Sequence, residues 1–257
     1  MATTFPEIRD GGTPGPGTVN CPQKNRFLIF LFLLFNCSFV FSQITTDRPD
    51  QTESAEVLQT GQIQIESGIS IEDSQSNINT LFRIGIIDGI EIRINSNYLI
   101  NDELSFMKKS SFSDFEVGAK FRIFDKTSNN TKVAFLSHLS IPTAIEVFSN
   151  NVYGILSRLN VSHDLNNESQ IGYNIGYNKF EKMDGQFIYT IVYGRNLGSF
   201  GVFFEIFGDE SRDNSNINFD SGITYLLDDK KQLDLSIGKG LNSDMFYVSG
   251  GISINID

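Results

Sequence analysis

Cysteine is nearly absent. The 257 residues hold two, Cys21 and Cys37, both ahead of residue 43, so beyond that point a disulfide framework and thiolate chemistry are excluded. Positive charge is also short. Lys and Arg number 20 against 31 Asp and Glu, for a net charge of -11, which leaves no basic footprint for nucleic acid. Metal-ligand spacing, a Gly-Lys-Ser/Thr phosphate loop and a nucleophile elbow are all missing, so the sequence calls for no cofactor and no metal and does not read as an enzyme. Nor is there an apolar run of the roughly 20 residues that a membrane-crossing helix needs. The uncharged stretch from Phe27 to Phe41 is shorter, follows Lys24-Asn25-Arg26 and ends in Val40-Phe41-Ser42. These features predict a signal peptide over 24–42, cleaved after Ser42. The alternatives are a membrane anchor, for which the run is short, and lipidation at Cys37, which Asn36 disfavours. Residues 1–23, with Gly-Gly-Thr-Pro-Gly-Pro-Gly at 11–17, read as an unstructured extension. Cleavage leaves an acidic chain without thiols, from which Arg9, Lys24, Arg26, Glu7 and Asp10 have gone.

What remains is one device repeated. From Gly61 onward apolar residues recur every second position: Ile63, Ile65, Ile69 and Ile71 on one face, Gln62, Gln64, Glu66, Ser70 and Glu72 on the other. This is the period of a half-buried strand. About twelve such segments follow one another, and Asp88-Gly89 between the second and third is a hairpin turn. A soluble sandwich shares this alternation, so the connections must decide. Those after even-numbered strands (88–89, 125–130, 164–167, 197–199, 228–231) are short. Those after odd-numbered strands (101–112, 142–151, 179–186, 208–216) are longer, and only the end connections 73–76 and 240–244 break the rule. Sorting by parity is what a barrel with one short-looped and one long-looped rim requires. The expectation is therefore an all-β, transmembrane up-and-down antiparallel β-barrel of about 12 strands over 61–257, preceded by a leader over 43–60. Short loops would face the periplasm, and 101–112, 142–151, 179–186 and 208–216 the exterior. Ile65, Phe121, Tyr173 and Ile223 are expected to face lipid.

The polar row carries glycines and many charges. Glu66, Arg83, Glu91, Arg93, Glu116, Lys120, Arg122, His138, Arg158, Glu205, Asp220 and Asp234 are the candidate lumen residues, tolerable inside only when paired or wet. His138 shares its face with Ser140, but two positions apart on a strand is too far for direct proton transfer, and a structural lumen histidine is the better reading. His163 falls at a predicted periplasmic turn.

With the segments placed, the chain resembles an outer-membrane transporter family named for the meta-pathway of phenol degradation. The likeness runs from about Thr46 to the C-terminus. It is carried by Thr46-Asp47-Arg48-Pro49-Asp50-Gln51-Thr52-Glu53, Leu81-Phe82-Arg83-Ile84-Gly85, Val117-Gly118-Ala119-Lys120-Phe121-Arg122, His138-Leu139-Ser140-Ile141-Pro142 and Gln232-Leu233-Asp234-Leu235-Ser236-Ile237-Gly238. The resemblance implies the bacterial outer membrane and a channel or transporter for small molecules, hydrophobic or aromatic ones included. The alternatives are a non-transporting structural or surface-interaction barrel and, after that, an outer-membrane enzyme. Expected partners are outer-membrane lipid, the barrel-assembly machinery and a small-molecule substrate. The leader has two readings: a solvated tether, or a plug built on Asp47, Arg48, Asp50 and Glu53, with Arg48 pairing a lumen carboxylate such as Glu66 or Glu91.

Overall fold

The computed structural model describes residues 44–101, 109–126 and 130–256. The predicted signal peptide, the extension before it, most of the connection 101–112 and the Ser128-Asn129 turn lie outside the described residues. Thirteen strand segments form one sheet: Ile63–Glu72 (β1), Gln75–Ile87 (β2), Ile90–Asn101 (β3), Ser110–Phe112 (β4), Phe115–Lys126 (β5), Thr131–Ile141 (β6), Gly154–Asp164 (β7), Ser169–Phe180 (β8), Gln186–Leu197 (β9), Phe200–Glu210 (β10), Ser215–Asp228 (β11), Lys231–Gly240 (β12) and Phe246–Ile256 (β13). Every pairing is between antiparallel neighbours, and β1 pairs both β2 and β13. The sheet therefore closes on itself. β4 stands apart, bonded only to β3, so the wall has twelve strands.

Closure disposes of the edges that an open sheet would expose. The two faces then differ in kind. Outward stand Ile71, Phe121, Ile175, Phe204, Ile223, Leu235 and Ile237, each exposed by 40% or more, while inward Gln64, Glu66, Arg83, Glu91, Lys120, Asn160, Asp220 and Ser253 are fully buried. A protein that exposes its isoleucines and buries its charges has a hydrocarbon solvent outside. No helix among the described residues is long and apolar enough to cross a membrane; the strands do so.

Three local features differ from the sequence reading. Ser110–Phe112 was expected to be loop but forms β4, because Phe112 packs edge-on against Tyr98 at 5.1 Å and stacks on Phe115 at 5.9 Å. Several connections are shorter than expected, since β8, β9, β10 and β11 run further into them; 211–214 is now no longer than 165–168, and the parity rule rests on 102–114 and 142–153, with 181–185 and 241–245 exceeding the other set only slightly. His163 is in β7 rather than a turn, where its ring bonds Thr131 at 2.8 Å and the Tyr173 hydroxyl at 3.1 Å. The connection after β6 holds one 3-10 turn, Glu146–Phe148.

Candidate functional site

The barrel register creates an electrostatic problem. Arg83 and Arg93 are direct cross-strand partners on β2 and β3, and Lys120 on β5 stands opposite Glu91, beside them. Like charges face to face destabilise a sheet, and all three cations are buried. The wall supplies two carboxylates here. Glu66 meets Arg83 at 3.2 Å, and Glu91 meets Arg83 at 2.9 Å and Arg93 at 3.1 Å. Three positive charges thus face two negative ones.

Residues 44–60 supply two more carboxylates. Asp47 meets Arg93 at 2.5 Å, Lys120 at 3.3 Å and Arg83 at 3.5 Å, and Glu53 meets Arg93 at 2.8 Å. Burial opposes the charge on Asp47, but Arg83, Lys120 and Arg93 outweigh it and hold the carboxyl well below the usual range. The leader backbone is tied down as closely as its side chains. Asp47 and Arg48 each donate an N–H to Glu66 at 3.0 Å, Gln51 to Glu205 at 2.7 Å, Glu53 to Asn174 at 2.6 Å and Leu58 to Glu91 at 2.9 Å. In the other direction Arg83 donates to the carbonyls of Thr45 and Glu56, and Lys120 to that of Ser54. Ile44, Ala55 and Val57 are buried among these bonds.

Arg48 is seated differently from expectation. Its guanidinium pairs with Asp234 at 3.0 Å and bonds Ser249 at 3.0 Å, rather than meeting Glu66 or Glu91. The cause is the wall beneath it: Gly68 and Gly251 face each other across the β1–β13 pairing, and a Cβ on either would collide with the guanidinium. This glycine seat aims Arg48 at β12. Glu66 meanwhile is taken up by Arg83 and the two leader amides.

The other anticipated residues divide by position. Glu205 and Asp220 are cross-strand partners, both buried. Glu205 accepts from Gln51 and Thr52, Asp220 accepts from the Tyr247 hydroxyl, and among the described residues neither has a cation within 4.0 Å. Asp50 lies against them. Burial, with Asp220 adding repulsion, raises its carboxyl well above the usual range. Glu116 accepts from Asn95 at 3.0 Å and stands 3.4 Å from His138 Nδ1, while the other ring nitrogen of His138 is buried with no partner. No hydrogen bond joins His138 to Ser140 among the described residues. Arg122 belongs to the rim: its side chain is 28% exposed and pairs with the exposed Asp88 at 2.9 Å. Arg158 faces inward beside Gly176. Several wall residues outside the candidate set also hold the leader: Lys132 bonds Glu56, Asn174 holds both the N–H and the carbonyl of Glu53, and Gln64, Asn160, Thr190 and Gln232 bond Thr45, Ser54, Thr52 and Thr46. The signal for each was its place on the polar row.

Residues 46–256 match the model of a family described as "Putative MetA-pathway of phenol degradation". No curated protein matches the sequence. Among solved structures the chain is similar to an outer membrane channel from Pseudomonas putida F1, with a TM-score of 0.62 and 10% identity over 83% of this chain and 100% of that one. It is also similar to the KdgM porin solved in complex with disordered oligogalacturonate, with a TM-score of 0.57 and 10% identity over 76% and 99%. A third is the NanC porin, with a TM-score of 0.53 and 12% identity over 75% and 98%. Likeness at such identity is a likeness of fold.

Proposed function

The chain belongs to this phenol-degradation MetA-pathway family, and from that membership together with its fold we propose a channel for small molecules across the bacterial outer membrane, held nearly closed by residues 44–60. The observation that carries this reading is the ionic cluster inside the barrel. Without Asp47 and Glu53 of the leader, Arg83, Arg93 and Lys120 outnumber the wall carboxylates Glu66 and Glu91; with the leader seated, every one of the three cations has a leader carboxylate within 4.0 Å. A solvated tether has no reason to complete a buried ionic cluster, since each of its charges gives up water to do so. A plug has that reason. The lumen mixes both signs of charge, which gives weak ion selectivity, and a twelve-stranded bore lies between the side-chain-filled eight and the open sixteen. The family description concerns phenol degradation, which makes small aromatic molecules the first solutes to test. The His138 and Ser140 pair does not favour a hydrolytic role, because the serine and histidine are not joined.

Deleting Thr46 to Glu53 tests the proposal. The expected result in planar bilayers and liposomes is a rise in single-channel conductance and neutral-solute uptake, with the barrel still folded. Unchanged conductance and uptake would make the leader a structural strap and favour a non-transporting barrel.

A further inference from the structure

The leader does not fill the lumen. Between it and the end of the barrel where Ser70, Asn77 and Asn97 lie is a cavity of about 350 Å³, within the usual size of small-molecule sites. Two of its walls differ in chemistry. On β2 and β3, Asn77, Asn79, Asn95 and Asn97 form a ladder of amides, with Asn79 donating to Asn95 at 2.7 Å and to Asn97 at 2.9 Å. On β6 and β7 the register sets Leu136 beside Arg158 and His138 beside Leu156, and all four line the cavity.

Arg158 is the anomaly. Every other inward lysine or arginine described (Arg48, Arg83, Arg93, Lys120 and Lys132) has a carboxylate within 4.0 Å. Among the described residues Arg158 has none, and its one hydrogen bond, to Asn178, is stretched to 3.5 Å. No cavity carboxylate pairs with it directly. Asp47, Glu53 and Glu66 are taken by Arg83, Arg93 and Lys120, Asp50 lies against Glu205 and Asp220, and Glu116 bonds Asn95 and His138 and feels Arg158 only at longer range. A guanidinium without a direct carboxylate partner therefore borders open space beside two leucines. Its planar fork suits a carboxylate, and the leucines suit a compact apolar body.

We infer that the Arg158, Leu136 and Leu156 wall is a binding subsite for a small monocarboxylate with a flat apolar body, the carboxylate on the guanidinium and the body on the leucines. Benzoate is the simplest such molecule. A ring hydroxyl would reach the amide ladder opposite. The subsite rests on the channel reading for its purpose, as a stopping point for solute, but not for its existence.

Calorimetric titration of the full mature chain in detergent separates the two contributions. Benzoate should bind at least tenfold more tightly than benzyl alcohol, which lacks the charge, and than acetate, which lacks the body. Arg158→Gln should bring benzoate down to the benzyl alcohol level, and Leu156→Ala should weaken benzoate while leaving acetate unchanged. Arg195→Gln, at an exposed arginine paired with Glu168, should change nothing. Electrophoretic mobility with and without heating verifies that each variant is a closed barrel. The inference is overturned if benzoate binds no better than either comparison compound, or if Arg158→Gln binds it as the parent does. Failure here with solute uptake intact removes the subsite alone, whereas benzoate binding with no uptake, even after deletion of Thr46 to Glu53, removes the channel alone.

Discussion

At the scale of single residues, two leader aspartates respond to pH in opposite directions. Asp47 has its carboxyl lowered by Arg83, Lys120 and Arg93 against the resistance of burial. It therefore contributes stability above the ordinary carboxylate range and loses it only as pH falls through its lowered value. Asp50 is raised by burial and by Asp220. Its contribution is full below the ordinary range and disappears as pH climbs through the raised value. Leader docking should thus be tightest in mild acid and weaken toward alkaline pH, read as amide hydrogen exchange of residues 44–60. Asp50→Asn should flatten the alkaline side, and an undiminished slope would clear Asp50 of responsibility. Asp47→Asn should expose the leader to exchange at every pH, because it removes the one carboxylate that meets all three buried cations, and breaking a buried pair costs on the order of 3–5 kcal/mol. Unaltered exchange would show that the backbone bonds hold the leader unaided. The sequence made these residues conspicuous as a charged run before the first strand. The partner of Arg48 was not legible, since Asp234 is 186 residues away and only the closed sheet puts the Gly68 and Gly251 seat beneath it.

At the scale of elements, period two was sufficient to place the twelve long strands, because residues such as Ile223 and Asp220 have only one acceptable side each. Strand ends were less legible. β11 starts at Ser215 and β10 continues to Glu210, through polar residues that carry no alternation; ladder hydrogen bonds extend them. Asp114, next to the start of β5, organises a loop. Its carboxylate accepts from the amides of Thr143, Ala144 and Asn150 and from the Ser149 hydroxyl, all on the connection between β6 and β7. Local sequence gives no sign of that, because the contacts span about thirty positions. Asp114→Ala should loosen 143–150 and quicken protease cleavage there, leaving barrel closure unaffected. Cleavage at the parental rate would show that the 3-10 turn alone holds the loop.

At the scale of the molecule, solvent sets the cost of substitution. Arg at Ile223, outward and 47% exposed, should cost roughly 2–4 kcal/mol in reversible unfolding from lipid, and a polar replacement of inward Ser253 much less. Equal costs on the two faces would contradict the orientation of the wall. The closing seam carries a further consequence. β1 and β13, the first and last strands, are the pair whose joining turns a ribbon into a tube. Arg48 lies across that pair, while Asp47 and Arg48 hold β1 through Glu66, and Arg48 holds β12 and β13 through Asp234 and Ser249. The leader is thus a clasp for the join as well as a stopper for the bore. It brings the earliest-made strand to the latest across the longest loop in the chain, whose entropy is the steepest toll on the final step of biogenesis. A chain without Thr46 to Glu53 should reach the same tube more slowly, its mature electrophoretic form lagging in a refolding time course.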